Sequence, residues 1–225
     1  MNPSVTWDEY VTAWSGLHGG FDPRRASVLV RGWVRCAYII GVWLGGKRVA
    51  PLTVTTAGVL LCLAVPFAAL GGPAGLALGA LLVLLAAVAD GLDGAVAVVT
   101  GRTSRAGFVY DSVADRLGEI GWLAAFWVAG APGPLVVGAG VASWLHEYVR
   151  ARSTAAGMAE IGQITVGERP TRVAVTVTGL LVAAVAGLVH STWTTPVLVI
   201  AVAAWAALQL IGLAQLTAAV RRALH

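Results

Sequence analysis

Five acidic residues lie close together in the middle of an otherwise apolar chain. Asp90 and Asp93 are three residues apart, and Asp111, Asp115 and Glu119 follow one another at intervals of four. Residues at these spacings share one face of a helix. Charged side chains inside a membrane are costly and normally face a cavity or a partner. Gathered carboxylates are the ligands of a hard divalent cation such as Mg²⁺, which also binds substrate phosphates, so the pattern indicates metal-assisted phosphate chemistry.

Two predicted helices, near 74–99 and 107–129, carry these acids at their facing ends. The loop between them has only about seven residues, so the helices must be antiparallel neighbours and their acidic ends must meet. Gly94, Ala97 and Gly107 lie along the same stripes, where small side chains let helix backbones approach closely. Interhelical ion pairs without catalysis are the structural alternative.

The composition is typical of a membrane protein. Of the 225 residues, 58% are hydrophobic and 12% are charged, about half the charged share of a soluble domain. Apolar stretches of about 20 residues predict an all-α polytopic fold with six transmembrane helices. Interfacial amphipathic helices are expected before them, at 5–16 and 27–44, which gives an N-terminal segment 1–48 and a catalytic domain 49–225. The six spans are predicted near 52–70, 74–99, 107–129, 133–151, 172–190 and 196–219.

The basic residues indicate the orientation of the chain. Fourteen of the 15 lysines and arginines fall in the N-terminal segment, in alternate loops or after the last span, and Arg116 is the exception. The positive-inside rule makes that side cytoplasmic. We therefore expect a multi-pass protein of the cell membrane, with its N-terminus and acidic site on the cytoplasmic side. The net charge of +4 suits an anionic membrane surface, so membrane lipids are the expected partners and nucleic acid is not.

The acidic pattern resembles the signature of the CDP-alcohol phosphotransferases, also called CDP-alcohol phosphatidyltransferases. The resemblance implies a phospholipid-synthesising enzyme in which an alcohol attacks the β-phosphorus of a CDP-linked donor and CMP leaves. It also implies that Mg²⁺ or Mn²⁺ is held by Asp90, Asp93 and Asp111, with Asp115 sharing, and that Asp115 is the general base. From the residues alone, any of the four aspartates could be the base. The matching pattern is Asp90-x2-Asp93-Gly94-x2-Ala97-x9-Gly107-x3-Asp111-x3-Asp115.

The resemblance extends to the donor, a lipid of the CDP-diacylglycerol type. Two positions depart from the family pattern: Val98 replaces an arginine that helps to hold the donor's diphosphate, and Leu52 replaces Asn or Asp. Arg102 or Arg105 could substitute for the arginine, and a catalytically impaired family member is an alternative. The implied donor-binding residues are Thr55, Asp93, Gly94, Ala97, Arg105 and Gly107.

Four arginines flank the loop between the fourth and fifth predicted spans: Arg150, Arg152, Arg169 and Arg172. Arginine clusters suit phosphate oxygens, although arginines at a membrane edge also serve topology. The stretches YVRAR and ERPTR resemble those of actinobacterial phosphatidylinositol phosphate synthases, where basic residues bind the acceptor's phosphate. The resemblance thus implies a phosphorylated polyol as the polar acceptor, with inositol phosphate the leading case and glycerol phosphate or another alcohol the alternative.

Several further interpretations stay open from the sequence. A cation-coupled membrane transporter would also carry intramembrane acids, but here they lie at one end of the spans and no inverted repeat is visible. Glu119 is either a partner of Arg116 or a support behind the metal ligands. His146 is expected to be a hydrogen-bonded structural residue. Homodimers are common in the resembling family, so a homodimer is an allowed assembly.

Overall fold

The computed structural model describes residues 5–17, 20–158 and 165–224. These residues form eight α-helices and two short 3₁₀ turns, at Pro23–Arg25 and Ser191–Trp193, and no strand occurs among them. The predicted all-α fold is therefore confirmed. The helices are α1 (Trp7–Leu17), α2 (Val28–Gly46), α3 (Pro51–Ala69), α4 (Gly72–Thr100), α5 (Arg105–Val128), α6 (Gly133–Ala155), α7 (Arg169–Val189) and α8 (Thr194–Leu224).

Helices α3 to α8 lie where the sequence predicts six spans. Within the described residues, five helices are long and apolar enough to cross a membrane: α2, α3, α4, α7 and α8 with the turn before it. Helix α5 is not one of the five, and it carries Asp111, Asp115, Arg116 and Glu119 in its first part. Helix α6 is not among them either, whereas α2, predicted to lie in the interface, is. The polytopic membrane fold is confirmed, and the number of spans stays a prediction.

The turn between α4 and α5 is fixed by its own residues. Gly101 has a φ of 66°, a left-handed conformation that glycine adopts at little steric cost after a helix end. The Arg102 N–H donates to the Ala97 carbonyl at 2.8 Å and so satisfies the end of α4. Ser104 caps α5, because its Oγ accepts the Gly107 N–H at 3.0 Å. Only four residues separate the helices, so their ends are held close.

The chain divides into two compact units. The first contains α1, α2, α3 up to Leu60, α4 from Ala86 and α5 up to Asp115. This division does not test the predicted boundary at residue 48, which stays a prediction. One apolar core cluster of the first unit consists of Tyr10, Val11, Val34, Ala37, Ala95 and Val98.

Tyr10 lies in this core although its side chain carries a hydroxyl. The residue is 1% exposed, and burial raises the pKa of its phenol to about 12. The ring is therefore neutral at physiological pH and packs as an apolar side chain. Helix α1, which carries it, begins at a capping box: the Thr6 N–H donates to Glu9 Oε2 at 2.7 Å. Hydrogen bonds from Thr6 also lower the pKa of Glu9.

Glycines let α2 approach α4 closely in the first unit. A Cβ placed on Gly41 would lie 3.3 Å from Ala95, and one on Gly91 would lie 2.8 Å from the ring of Trp33. The opposite face of α2 is apolar and exposed, as at Leu29, which is 85% exposed. Helix α2 therefore packs on α4 by one face and presents hydrophobic side chains on the other.

The second unit contains α3 from Leu61, α4 up to Leu85, α5 from Arg116, and α6, α7 and α8. Large side chains such as Trp122, Leu180 and Trp205 fill its interior. The Trp205 Nε1–H donates to Ser143 Oγ at 2.8 Å and joins α8 to α6. The interior also holds polar and charged groups, and six of them are at most 1% exposed: Glu119, Ser143, His146, Arg172, Thr176 and Gln209.

Candidate active site

Three of the predicted metal ligands come together in the first unit. One carboxylate oxygen from each of Asp90, Asp111 and Asp115 lies within 4.8 Å of the other two, and all three residues are partly exposed. Helix α4 supplies Asp90, and α5 supplies the other two from successive turns. The short loop and the spacing of four had predicted this meeting, which is confirmed for these three residues.

The donor set fits a hard divalent cation. Oxygen ligands lie about 2.1 Å from Mg²⁺, so two on opposite sides are about 4.2 Å apart. Oxygens within 4.8 Å of one another therefore need only small side-chain rotations to share one ion. In an effective dielectric of about 20, two carboxylates about 5 Å apart repel by roughly 3 kcal/mol. A divalent cation between them would offset this repulsion.

Asp93, the fourth predicted ligand, is more deeply buried than the other three. It is 7% exposed, and its Oδ2 accepts a hydrogen bond of 2.5 Å from Thr55 Oγ1. Thr55 comes from α3 and is itself 7% exposed. The sequence assigns Thr55 to the donor, whereas here its hydroxyl orients a carboxylate. The donor contact stays a prediction.

The remaining donor-site residues have different surroundings. Gly94 is exposed, and a Cβ built on it would meet no atom within 4 Å, so the face of α4 beside Asp90 is open. Ala97 is half-buried, Arg105 is exposed and Gly107 is half-buried. The open face at Gly94 offers room for a ligand beside the carboxylates, and the donor roles themselves stay predictions.

Val98 stands where the family pattern has an arginine. Its side chain is 9% exposed and belongs to the apolar core with Tyr10 and Val34. Val98 therefore packs against α1 and α2. The sequence pattern could not predict this contact between distant segments.

A hydrogen bond between Thr56 and Tyr110 is a further feature that sequence reasoning missed. Thr56 Oγ1 and the Tyr110 hydroxyl are 2.8 Å apart and join α3 to α5. Each residue adjoins a predicted site residue, since Thr56 follows Thr55 and Tyr110 precedes Asp111. No local spacing rule links residues that lie so far apart in the chain.

The four arginines of the predicted acceptor group differ in their surroundings. Arg152 is exposed and Arg169 is half-buried. Arg150 forms an ion pair with Glu168. Arg172 is 1% exposed. Residues 159–164 of the loop between them lie outside the described residues, and the acceptor role of the four arginines stays a prediction.

Arg172 is the centre of an ion-pair network inside the second unit. Its Nη1 pairs with Glu119 and its Nη2 with Glu147, while its Nε–H donates to the Gly167 carbonyl at 3.0 Å. Arg116 Nη1 lies 3.1 Å from Glu119 Oε2 and 3.6 Å from Glu147 Oε1. Two arginines therefore face two glutamates. Of the two interpretations of Glu119, the one as a partner of Arg116 is confirmed.

His146 joins the same region as a structural residue. It is fully buried, and its Nε2 lies 2.9 Å from Thr165 Oγ1. Its Nδ1 is 3.6 Å from Glu147 Oε1. The sequence-based expectation of a hydrogen-bonded histidine is confirmed.

A carboxylate cluster shared by two helices of an all-helical membrane protein suits a divalent cation that also binds phosphate groups. The model of the CDP-alcohol phosphatidyltransferase family matches residues 48–218. The chain belongs to that family.

One relative with a known name is a phosphatidylinositol phosphate synthase. The chain is 37% identical over 111 residues to the phosphatidylinositol phosphate synthase of Mycolicibacterium smegmatis. That match covers 45% of this chain and 48% of the relative, about half of each.

Solved structures of a relative are similar to this chain in fold. The crystal structure of Mycobacterium tuberculosis phosphatidylinositol phosphate synthase with CDP-DAG bound has 27% sequence identity and a TM-score of 0.63, over 83% of this chain and 94% of that one. The same enzyme in complex with manganese and citrate gives 26% and 0.61, over 82% and 88%. A manganese complex of a relative and the carboxylate cluster here together indicate a site for a divalent metal ion.

Proposed function

We propose that this protein transfers a phosphatidyl group from a CDP-diacylglycerol-type donor to a polar alcohol and releases CMP. The acceptor is a phosphorylated polyol, with inositol phosphate the first candidate. The observation that carries the proposal is the group of carboxylate oxygens from Asp90, Asp111 and Asp115 within 4.8 Å of one another. Membership of the family and the CDP-DAG complex of the M. tuberculosis relative support the donor.

The aspartates hold the metal and move the proton in this proposal. Asp90, Asp93, Asp111 and Asp115 would bind Mg²⁺ or Mn²⁺, and the bound cation would neutralise charge on the donor's diphosphate. Phosphoryl transfer depends mainly on such neutralisation and on in-line positioning. The acceptor oxygen forms a bond to the β-phosphorus while the bond from that phosphorus to the CMP oxygen breaks. Asp115 accepts the proton of the attacking hydroxyl as general base.

Other residues would position the two substrates. The open face of α4 at Gly94, with Ala97 and Gly107, leaves space for the donor's diphosphate, and the exposed Arg105 supplies positive charge. Arg150, Arg152 and Arg169 would bind the acceptor's phosphate through charge-assisted hydrogen bonds. The distribution of basic residues supports a cell-membrane protein whose active site and N-terminus are cytoplasmic.

A direct test is to incubate the purified protein with CDP-diacylglycerol, Mg²⁺ or Mn²⁺ and candidate alcohols. CMP release and the mass of the lipid product are measured. We expect product with inositol phosphate, no activity in EDTA, and none in Asp111→Asn, whereas Asp8→Asn, an exposed acid on α1, should behave like the parent. A glycerol-phosphate product would replace the acceptor assignment. No CMP release with any alcohol and either metal would contradict the proposal.

A further inference from the structure

Residues 165–168 directly precede α7 and are hydrogen-bonded to α8. We call this segment the strap. The Gly167 carbonyl accepts a hydrogen bond of 3.1 Å from Gln209 Nε2. The Val166 N–H donates to Gln215 Oε1 at 3.0 Å. The strap also lies directly against Gly212, where an added Cβ would be 2.7 Å from the backbone nitrogen of Gly167. Such a contact is not tolerated, so the position of the strap depends on the absence of a side chain at Gly212.

The strap is also fastened to α6 and α7. Thr165 Oγ1 lies 2.9 Å from the buried His146 Nε2. The Gly167 carbonyl accepts a second hydrogen bond, of 3.0 Å, from Arg172 Nε. Thr165, Gly167, His146 and Arg172 are all buried. Four side chains from three helices thus define where the strap lies.

The end of the strap contacts one acceptor arginine and precedes another. Glu168 Oε1 accepts hydrogen bonds from the Thr165 N–H at 3.0 Å and from Thr165 Oγ1 at 2.9 Å. The same carboxylate pairs with Arg150. Arg169 follows Glu168 as the first residue of α7. The place of the strap therefore sets the place of Arg150 and Arg169.

The guanidinium of Arg172 is occupied by groups of the protein in this arrangement. Its side chain is 0% exposed, and Nε, Nη1 and Nη2 each donate to a group of the protein. Two carboxylates, Glu119 and Glu147, face it together with Arg116, so the local charges balance. Removing one member of a buried ion pair is strongly destabilising. A phosphate group would have to break such a pair to reach this guanidinium.

We propose that Arg172 is a positioning residue: it holds the strap through Gly167 and acts on the acceptor through Arg150 and Arg169. The inference rests on the proposed function for the acceptor, and it gives Arg172 a different role from the acceptor binding that the sequence predicts for it. It predicts that any change that displaces the strap weakens use of a phosphorylated acceptor, even where no charge is altered.

Gly212→Ala tests this without touching a charged group. The added methyl must push the Gly167 backbone away, so the apparent KM for inositol phosphate should rise roughly 10-fold or more, the effect of one lost charge-assisted hydrogen bond. The donor KM should stay within about twofold, because the hydrogen bonds of the strap among the described residues reach α6, α7 and α8 and none of the predicted donor residues. Gly138→Ala on α6 is the matched control, since a Cβ there meets nothing within 4 Å. Arg172→Lys, which keeps the charge and loses the planar fork, should raise the acceptor KM similarly.

The double variant Gly212→Ala/Arg172→Lys separates positioning from direct binding. If both residues act through the strap, the double variant should be no worse than the poorer single one. A further multiplicative loss on adding Arg172→Lys, or an unchanged acceptor KM in Gly212→Ala, would overturn the inference.

Hydrogen exchange provides a readout that needs no activity. Amides of residues 165–168 should exchange faster in Gly212→Ala and in Arg172→Lys than in the parent and Gly138→Ala. Equal exchange in all four proteins would overturn the inference. A parent protein that transfers to no acceptor would refute the proposed function alone, and calorimetric titration of all four with inositol phosphate would then decide: equal affinities would overturn the positioning role.

Discussion

The hydrogen bond from Thr55 to Asp93 gives the sharpest test of the metal site. Thr55→Val removes a hydroxyl and keeps nearly the same side-chain shape. Asp93 Oδ2 then loses its 2.5 Å donor while the carboxylate stays 7% exposed. A carboxylate that is no longer held in one orientation binds a metal less well. The variant should therefore need a higher concentration of Mg²⁺ or Mn²⁺ for activity.

The size of the effect follows from the bond that is lost. A hydrogen bond to a charged group contributes about 1.5–3 kcal/mol, which corresponds to roughly 10- to 150-fold in an equilibrium constant. Changes to residues that orient metal ligands typically cost about 10- to 100-fold in metal affinity or activity. We expect the apparent metal activation constant of Thr55→Val to rise within that range.

Two variants of neighbouring chemistry serve as controls. Thr55→Ser keeps the hydroxyl and should restore most of the metal affinity. Thr56→Val removes a hydroxyl from the next residue, which bonds to the Leu52 carbonyl and to Tyr110 and contacts no carboxylate in these bonds. Its metal activation constant should match that of the parent.

The assay measures CMP release against metal concentration at saturating donor, with Mn²⁺ binding followed by electron paramagnetic resonance as a readout independent of turnover. Equal metal constants in Thr55→Val and Thr56→Val would refute the reasoning. A raised donor KM with an unchanged metal constant would also refute it and would favour the direct donor contact that the sequence pattern implies for Thr55.

Two further predictions concern Asp115 and Val98. Asp115→Asn should lower kcat about 100-fold or more, the usual effect of losing a general base. Donor binding, measured by calorimetry, should be largely kept. If donor binding collapses while the remaining complex turns over normally, the assignment of Asp115 as the base is wrong. Val98→Arg places a charge in the apolar core cluster of the first unit, where Val98 is 9% exposed. The variant should be less stable by more than about 3 kcal/mol. The measurement is the midpoint of thermal unfolding in detergent, which should be lower than that of the parent. A stable variant with a lowered donor KM would mean that this side chain turns to the diphosphate instead.

Local patterns in the sequence predicted the features that depend on local rules. The bounds of α3 to α8 follow from runs of apolar residues and from turn residues such as Gly101. The meeting of Asp90 with Asp111 and Asp115 follows from a helical period and a short loop, because both are fixed by neighbouring residues. The number of spans did not follow so directly. Helix α5 carries several charged residues in its first part, and it is not among the described helices that are long and apolar enough to cross a membrane.

Contacts between distant segments were not predictable in the same way. The partners of Arg172 are Glu119 and Glu147, which lie 53 and 25 residues away, so no periodicity relates them. The sequence therefore grouped Arg172 with the other arginines of its loop, by charge and by the resemblance that the ERPTR stretch carries. The bond from Thr55 to Asp93 spans 38 residues and was equally hidden, although both residues had been singled out for the site.

The structure also bears on whether the departures from the family pattern indicate a lost activity. An arginine at position 98 would have to leave the core in which Val98 packs against Tyr10 and Val34, so the valine has a packing role in this chain. The four aspartates of the pattern are all present, and three of them already lie within reach of one cation. The fourth aspartate, Asp93, is held in one orientation by Thr55. In the proposed function, positive charge for the donor's diphosphate then has to come from elsewhere, and the exposed Arg102 and Arg105 are the two candidates that the sequence names.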